Sequence, residues 1–300
     1  MDIDLRDSFF QEICDFGMKD SDFVVITADM DVFALSEFKK NYPERYLNIG
    51  AAEQNMVNLA AGLASAGKKV LILGILSFIS TRSFEQIKLN ICGMNLPVII
   101  VGIGPGLSFS FDGPTHHATH DITVMRQLPE LRIFHPSDAS TAKFVAKSVL
   151  DFSVPTYVRL DKGKFKKSIL SDIPVENGLV KLKYNHKKLI IFSGTVFTEL
   201  DFILRKLNKS NDVYSIVNIV QVAPLPNLLI DLLSVAEKII IIEENSISGG
   251  IFNLIAEVIT RRKFKVEVEY LLLQQKHFFN YGSRSWLSEI SRMNSNFFRH

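Results

Sequence analysis

The sequence predicts an α/β protein in which a doubly wound, mostly parallel sheet is followed by a smaller α/β domain. Short apolar runs of strand length recur along the chain, and segments with apolar residues at helical spacing separate them. Small or polar residues follow several of these runs, as expected where a strand ends in a turn. This alternation is typical of parallel strands joined by helices that cover both faces of one sheet.

The first unit shows the alternation in order. Residues 6–18 place apolar side chains on one helical face, and residues 23–27 form an uninterrupted apolar run of strand length. A further helix is predicted to open at Glu53 and to end near Gly67. The remaining predicted strands are 46–49, 70–73, 97–101, 131–134 and 156–159, and the remaining helices are 84–91 and 139–150.

Functional groups are expected to collect at one edge of this sheet. In a doubly wound sheet, ligands bind beyond the carboxyl ends of the strands. Five side chains that bear chemistry lie at or just after predicted strand ends. They are Asp29, Glu53, Phe78, Asp112 and Arg159.

A second unit follows a stretch with a different composition. From about residue 163 to residue 188 the chain is rich in lysine and loses its periodicity, which indicates a linker. Strands are predicted again at 189–192, 213–217, 238–242 and 266–272, with one helix after Gly194 and another from Gly250 through Ile259. We therefore expect domains at 1–165 and 189–300, joined by a linker at 166–188.

Composition excludes several classes of protein. The formal net charge of +2 gives no reason to expect a nucleic-acid partner. The longest apolar run, around residues 70–78, is too short to span a membrane, and the acidic start lacks a signal-peptide pattern. Cys14 and Cys92 are far apart in sequence and are expected to be buried thiols. These features favour a cytoplasmic protein. A mean hydropathy of +0.16 suggests that a partner covers part of its surface.

Two motifs have alternative interpretations when each is taken alone. Glu53 follows a Gly-Ala-Ala segment at a helix start, where a solvated acid is common because the helix dipole stabilises it. Residues 102–106 contain three glycines after a strand, but Leu107 replaces the third glycine that a dinucleotide fingerprint requires. We interpret that segment as a flexible loop leading to the next motif.

The next motif, Asp112-Gly113-Pro114-Thr115-His116-His117, is continued by His120-Asp121. Histidine and aspartate are possible metal ligands, and solvated turn residues are the alternative. Adjacent His116 and His117 cannot easily point the same way. No metal site is assigned.

Several motifs, in this order, resemble the C-terminal half of the transketolase family of thiamine diphosphate enzymes. The resemblance rests on Ala28-Asp29, Glu44-Arg45-Tyr46 through Glu53-Gln54, Ser77-Phe78, Asp112 to His116, Pro136-Ser137-Asp138 and Tyr157-Val158-Arg159, and in the second unit on Ser193-Gly194, Glu243-Glu244 and Gly249-Gly250. It covers nearly the whole chain. It implies a pyrimidine-binding domain followed by a transketolase C-terminal domain.

The resemblance implies thiamine diphosphate as cofactor and a role for individual residues around it. Glu53 matches the glutamate that hydrogen-bonds N1′ of the aminopyrimidine ring and promotes its imino tautomer. Phe78, with Ile79 as the alternative register, matches the aromatic residue that packs on that ring. Phe84 is a further candidate for the ring pocket, and Asp29 is expected near the cofactor or a subunit junction.

The remaining implied roles concern the substrate. Asp112 and His116 are expected to face sugar hydroxyls and to act in catalysis, since histidine exchanges protons near neutral pH. His117 and His120 are candidates for further substrate contacts. Arg159 is expected to bind a phosphate or carboxylate of the substrate. The implied reaction is transfer of a two-carbon ketol unit between sugars or sugar phosphates.

One half of the family's site has no counterpart in this sequence. The family binds the diphosphate and its Mg²⁺ (or Ca²⁺) through a Gly-Asp-Gly motif in another domain, and this sequence contains none. We therefore expect a split transketolase in which a partner subunit holds the diphosphate and the cation, with two copies of each chain in an α2β2 assembly.

Two departures from the family pattern keep other functions open. Ser110-Phe111 stands where the family often has Gly-Glu, and Asn55 stands where the deoxyxylulose-phosphate synthase branch usually has His. The alternatives are a subunit like that synthase, a β subunit of a 2-oxo acid dehydrogenase, or a non-catalytic paralogue that scaffolds or regulates an enzyme.

Overall fold

The computed structural model describes residues 3–165, 170, 172–182, 187–196, 200, 204–205 and 213–294. The strands are β1 Ile3–Asp4, β2 Phe23–Thr27, β3 Tyr46–Asn48, β4 Lys69–Ile75, β5 Ile99–Ile103, β6 Arg132–Phe134, β7 Thr156–Leu160, β8 Lys164–Phe165, β9 Leu179–Leu182, β10 Lys188–Phe192, β11 Ser215–Ile219, β12 Gln221–Ala223, β13 Lys238–Ser246, β14 Glu267–Leu273 and β15 Arg292–Asn294. The helices are α1 Leu5–Gly17, α2 Ser36–Asn41, α3 Glu53–Ser65, α4 Leu76–Arg82, α5 Phe84–Gln86 with a π-helical continuation Ile87–Cys92, α6 Asp121–Met125, α7 Ala139–Val149, α8 Asn227–Val235, α9 Ile251–Arg262 and α10 Arg284–Ser291.

The first sheet has seven strands in the order β12-β6-β7-β5-β4-β2-β3. Every pair in it is parallel except β12 with β6. Strands β2, β5 and β7 are buried along their whole length, which explains why they are continuous apolar runs rather than alternating ones. The predicted fold class is therefore confirmed.

Helices cover both faces of this sheet. On one face, Phe9 and Ile13 of α1 and Val145 of α7 belong to one buried cluster. On the other face, Met56 of α3 and Ile79 of α4 belong to a second cluster. Both clusters extend into the second unit, so burial of apolar surface is continuous across the chain.

The second sheet has six strands in the order β15-β14-β13-β10-β11-β9. Strand β9, at Leu179–Leu182, runs antiparallel to β11, although it lies inside the segment interpreted as a linker. The linker prediction is wrong there, because Leu179 and Val180 are buried and take part in the sheet. Strand β12 crosses back to the edge of the first sheet, so the two units share backbone hydrogen bonds.

Some helices and strands of the structure were not predicted from the sequence. Helix α4 begins directly after β4 and carries Phe78, and no helix was predicted between the strand at 70–73 and the helix at 84–91. Helices α8 and α10 and strands β12 and β15 were also missed. The helix predicted after Gly194 falls mostly outside the described residues. Among those that are described, no helix is both long and apolar enough to cross a bilayer.

A buried ionic network joins the two units behind the carboxyl end of β7. The Arg284 guanidinium of α10 donates to Oδ1 of Asp161 at 2.7 Å and to Oε2 of Glu244 at 2.6 Å. Thr195 also donates to Asp161, at 2.7 Å, and the backbone N–H of Leu107 donates to Glu244 at 2.9 Å. Burial, the largest single effect, would raise the pKa of Asp161, but Arg284, His135 and Ser108 together hold that pKa well below its usual range. Asp161 is therefore a charged, fully buried carboxylate that depends on Arg284.

Replacing Arg284 with methionine is expected to lower the free energy of unfolding by about 3 kcal/mol, because Asp161 would lose its buried cation. Arg132→Met is the matched control, since Arg132 pairs with the half-exposed Asp151 and should cost less than about 1 kcal/mol. Urea denaturation of the three proteins measures both values. Equal losses in the two variants would contradict this account of the junction.

Candidate active site

The ends of β2 and β3 are connected through one asparagine side chain. Asn48 Oδ1 accepts the backbone N–H groups of Asp29, at 3.1 Å, and Gly50, at 3.0 Å. Asp29 has a left-handed backbone, with φ of 51°, and its side chain is exposed. The carboxylate of Asp29 therefore lies on the surface at the sheet edge from which α3 begins.

Glu53 is the first residue of α3, and only 2 % of it is exposed. Taken alone, the local pattern favoured a solvated acid, but the structure buries this side chain. A buried carboxylate requires a hydrogen-bonding or charged partner. The amino-terminal position of Glu53 supplies favourable helix-dipole potential, and the direct partner comes from another element.

That partner is Arg82, the last residue of α4. Its Nη1 lies 2.6 Å from Oε2 of Glu53, and the side chain of Arg82 is about half exposed. The same guanidinium lies 4.5 Å from the ring centroid of Phe78, as in a cation–π contact. Arg82 was not singled out in the sequence, since a lone arginine at a helix end gives no motif.

Phe78 connects this pair to the histidine motif. Its half-buried ring lies 5.0 Å from that of His116, at an interplanar angle of 61°. Ile79, the alternative register, is fully buried and lies close enough to Gly74 to restrict any side chain there. Phe78 is therefore the member of the pair that faces the candidate site.

The loop that bears Asp112 and His116 is shaped by close approaches. A Cβ on Gly113, which has φ of 78°, would collide with the Tyr281 ring of the second unit. His116 Nδ1 lies 2.9 Å from Thr115 Oγ1, so this contact leaves Nε2 available. Ser77 Oγ donates to the Thr115 carbonyl at 3.2 Å, which ties the loop to α4. The Asp112 side chain is exposed beside that loop.

A second aromatic contact brings a cation near His116. The rings of Phe109 and His116 lie 5.7 Å apart, and the Nζ of Lys162 lies 4.4 Å above the Phe109 ring. Gly104, with φ of 89°, permits this packing, because a Cβ there would overlap the Phe109 ring. Lys162 is exposed, and no motif of the sequence singled it out.

Phe84 is placed differently from the other predicted ring contacts. It is partly buried and packs against the core cluster that contains Met56 and Ile79. The structure accounts for Phe84 by packing alone.

His117 and His120 open on a separate cavity of about 420 Å³. His117 is 5 % exposed, whereas His120 is exposed at the rim. Burial, reinforced by the neighbouring His116, lowers the pKa of His117 below its ordinary value. The adjacent residues His116 and His117 therefore face different parts of the molecule, as expected for neighbours that cannot easily point the same way.

Arg159 does not reach the surface, and the expectation that it binds substrate is corrected on this point. Its Nε and Nη2 donate to the two carboxylate oxygens of Asp121 at 2.7 and 2.9 Å. Nη1 lies 2.8 Å from Nδ1 of His135, and Arg159 is only 2 % exposed. Burial and the Arg159 charge lower the pKa of His135 to about 4, so this imidazole is neutral at pH 7. Arg159 is a structural cation paired with Asp121.

The geometry brings together Glu53, Arg82, Phe78 and His116. A buried carboxylate near a partly buried aromatic ring fits a planar nitrogen heterocycle, which would stack on Phe78 and hydrogen-bond to Glu53. Among the residues described, no group of three or more His, Cys, Asp or Glu side chains is arranged to hold a metal ion. The site thus suits the ring end of a cofactor.

Comparisons with known proteins find relatives over most of this chain. Residues 1–167 match the pyrimidine-binding domain of transketolase. The chain is 32 % identical to one subunit of the apulose-4-phosphate transketolase of Actinobacillus succinogenes, over 79 % of this chain and 78 % of that protein. It is also 32 % identical to the 1-deoxy-D-xylulose-5-phosphate synthase of Dictyoglomus thermophilum, over 94 % of this chain but only 46 % of the synthase. The chain therefore spans about half the length of that synthase.

A solved structure has the same architecture over nearly its whole length. A split gene transketolase, described as an inactive β4 tetramer, superposes with a TM-score of 0.84 and 26 % sequence identity. The alignment covers 96 % of this chain and 93 % of the other. Both units are therefore shared with that protein.

Proposed function

We propose that this chain, which belongs to the transketolase family, is the pyrimidine-half subunit of a split transketolase that uses thiamine diphosphate. The observation that carries the proposal is the buried Glu53 carboxylate near the partly buried ring of Phe78, with Arg82 in contact with both. When bound, thiamine diphosphate supplies a nucleophilic carbon that adds to a carbonyl and accepts the resulting charge. The protein must position the ring and manage its protons.

Glu53 is the residue proposed to act on the aminopyrimidine ring. Its carboxyl group would share a proton with N1′, which makes the amino group on that ring a better base. The low exposure of Glu53 excludes water from this hydrogen bond and strengthens it. Phe78 would support one face of the ring, and Asp29 would lie at the rim near a subunit junction.

His116 and Asp112 are proposed to act on the substrate. His116 stands against Phe78, and its Nε2 is left available to take or give a proton to a sugar hydroxyl during addition and cleavage. Asp112 is exposed on the same loop and would accept hydrogen bonds from hydroxyls. Lys162, above Phe109, is the nearby cation suited to a substrate phosphate, a role that Arg159 cannot fill from inside its ion pair. The reaction proposed is transfer of a two-carbon ketol unit between sugars or sugar phosphates.

A partner subunit is proposed to complete the site. The sequence lacks Gly-Asp-Gly, and a bound diphosphate without a cation would carry uncompensated charge. The partner would hold the diphosphate with Mg²⁺ or Ca²⁺, in an assembly with two copies of each chain. Two similar proteins support this division, because one is named as a single subunit of an apulose-4-phosphate transketolase and the other as an inactive tetramer of a split gene transketolase. We place the assembly in the cytoplasm.

A synthase-like reaction is the second candidate. The match to a 1-deoxy-D-xylulose-5-phosphate synthase extends over 94 % of this chain, and the Ala52-Glu53-Gln54 segment resembles that branch. Such a subunit would accept a 2-oxo acid donor instead of a ketose. Assays of the complete assembly with each donor separate the two reactions.

Glu53→Gln is expected to reduce turnover by the complete assembly at least about 100-fold, because the amide cannot share a proton with the ring. Assembly should persist, since glutamine keeps the size of the side chain. Glu85→Gln is the matched control, because Glu85 is exposed on α5 and should leave turnover unchanged. Steady-state ketol transfer and gel filtration give the two readouts. Full activity of Glu53→Gln would support the non-catalytic scaffold instead.

A further inference from the structure

The guanidinium of Arg82 makes the two contacts that the proposed aminopyrimidine ring requires. It donates a hydrogen bond to the Glu53 carboxylate at 2.6 Å, and it lies over the Phe78 ring at 4.5 Å. A guanidinium is planar, carries N–H donors in that plane and stacks on aromatic faces, as a protonated aminopyrimidine does. We infer that Arg82 occupies the aminopyrimidine position in the cofactor-free chain and that its side chain must leave before the cofactor binds. This inference rests on the proposed function.

The two partners of this ion pair differ in their freedom to move. Glu53 has a side chain that is 3 % exposed, whereas that of Arg82 is 48 % exposed. The backbone carbonyl of Arg82 accepts a hydrogen bond from the Gln54 side chain at 3.1 Å, so the end of α4 is held beside α3. The Arg82 side chain alone can therefore swing into solvent while the backbone and Glu53 stay in place.

Arg82 is held beside Glu53 by their ion pair until another group takes its place. A buried carboxylate without a partner is costly, and Arg82 removes that cost. The cofactor ring would replace one planar donor with another, so Glu53 keeps a partner in both states. The arginine acts as an internal competitor that lowers the apparent affinity of the site for the ring.

The test uses the full chain and the aminopyrimidine half of thiamine, 4-amino-5-hydroxymethyl-2-methylpyrimidine, as probe. Arg82→Leu should bind this probe about tenfold more tightly than the unchanged chain in an NMR titration, because a partly screened, charge-assisted hydrogen bond no longer competes. Arg132→Leu is the matched control, since it removes an arginine from a surface ion pair and should not change the affinity.

The possible results distinguish the proposed competition by Arg82 from the proposed function of the ring site. Tighter binding by Arg82→Leu, lost again in the Arg82→Leu/Glu53→Gln double variant, supports both. If Arg82→Leu binds the probe no more tightly than the unchanged chain, competition by Arg82 is contradicted, while the ring site itself is still supported. If neither the unchanged chain nor Arg82→Leu binds the probe, the result contradicts the proposed function and therefore also the proposed competition by Arg82.

A second observation, independent of the first, concerns the cavity beside His117. Both ring nitrogens of His117 are buried and lack a hydrogen-bond partner within the part of the chain that the structure describes. A buried polar group of this kind calls for a ligand or an ordered water. The cavity is lined by His117, Thr119 and His120 of the first unit and by Ser246 and Lys276 of the second, among other described residues.

This lining contains hydrogen-bond donors and one cation. Among the described lining residues there is no carboxylate, and Lys276 contacts the Phe278 ring, with Nζ 5.3 Å from its centroid. Lys276 thus supplies positive charge, His117 supplies a ring N–H, and Thr119 and Ser246 supply hydroxyls. We propose that the cavity binds the phosphate group of a small phosphorylated molecule.

The place of the cavity connects it to the candidate active site. Pro114 and His117 belong to the same loop as Asp112 and His116, while Ser246 and Lys276 come from the second unit. The backbone N–H of Ser246 donates to the Thr119 carbonyl at 2.8 Å, which joins the two walls. A molecule bound in the cavity would therefore contact the loop that holds His116.

Inorganic phosphate is the probe for this site, with ribose 5-phosphate and ribose as comparison arms. Phosphate and ribose 5-phosphate should shift the ring signals of His117 and His120 in a saturable manner, and ribose should not. Lys276→Gln should weaken phosphate binding at least about fivefold through the lost charge. Lys147→Gln, at an exposed lysine on α7, should leave it unchanged. Absence of saturable shifts, or equal binding by Lys276→Gln, would overturn the site, whatever the outcome at Glu53.

Discussion

The arrangement at the sheet edge depends on the buried carboxylate of Glu53, which requires a charged or hydrogen-bonding partner. Glu53 is almost completely buried at the start of α3, and Arg82 meets it from the end of α4. The same short helix carries Phe78, so a single element delivers both the counter-ion and the aromatic face. The candidate site is thus a place where a planar cation already fits. This fit is why the geometry favours a ring-binding role over a solvated helix start.

The second unit supports this edge without supplying the carboxylate or the ring. Asp161, at the end of β7, is held by Arg284 from α10, and Glu244 receives the Leu107 backbone in the loop after β5. Tyr281 packs against Gly113 in the same loop. Removal of the second unit would leave that loop, and with it His116, without its supports. The C-terminal unit therefore positions a segment whose chemistry belongs to the first.

The sequence predicts those features that depend on local periodicity. Strand β2 was predicted to the residue, and Glu53 was predicted to lie in the first turn of α3, because apolar runs and helix starts are short-range patterns. The role of Arg159 was misjudged, since its burial depends on Asp121, far away in the chain. Strand β9 was taken for linker because it is short and lies among lysines. Arg82 could not be found, because only the fold brings it to Glu53.

The central claim is that this chain holds one half of a cofactor site and that another chain holds the rest. Its most direct test is calorimetric titration of thiamine diphosphate with Mg²⁺ into this chain, into a partner that bears Gly-Asp-Gly, and into their mixture. The account predicts tight, stoichiometric binding by the mixture and only weak binding, through the aminopyrimidine ring, by this chain alone. Tight binding by the isolated chain, accompanied by ketol transfer, would contradict it.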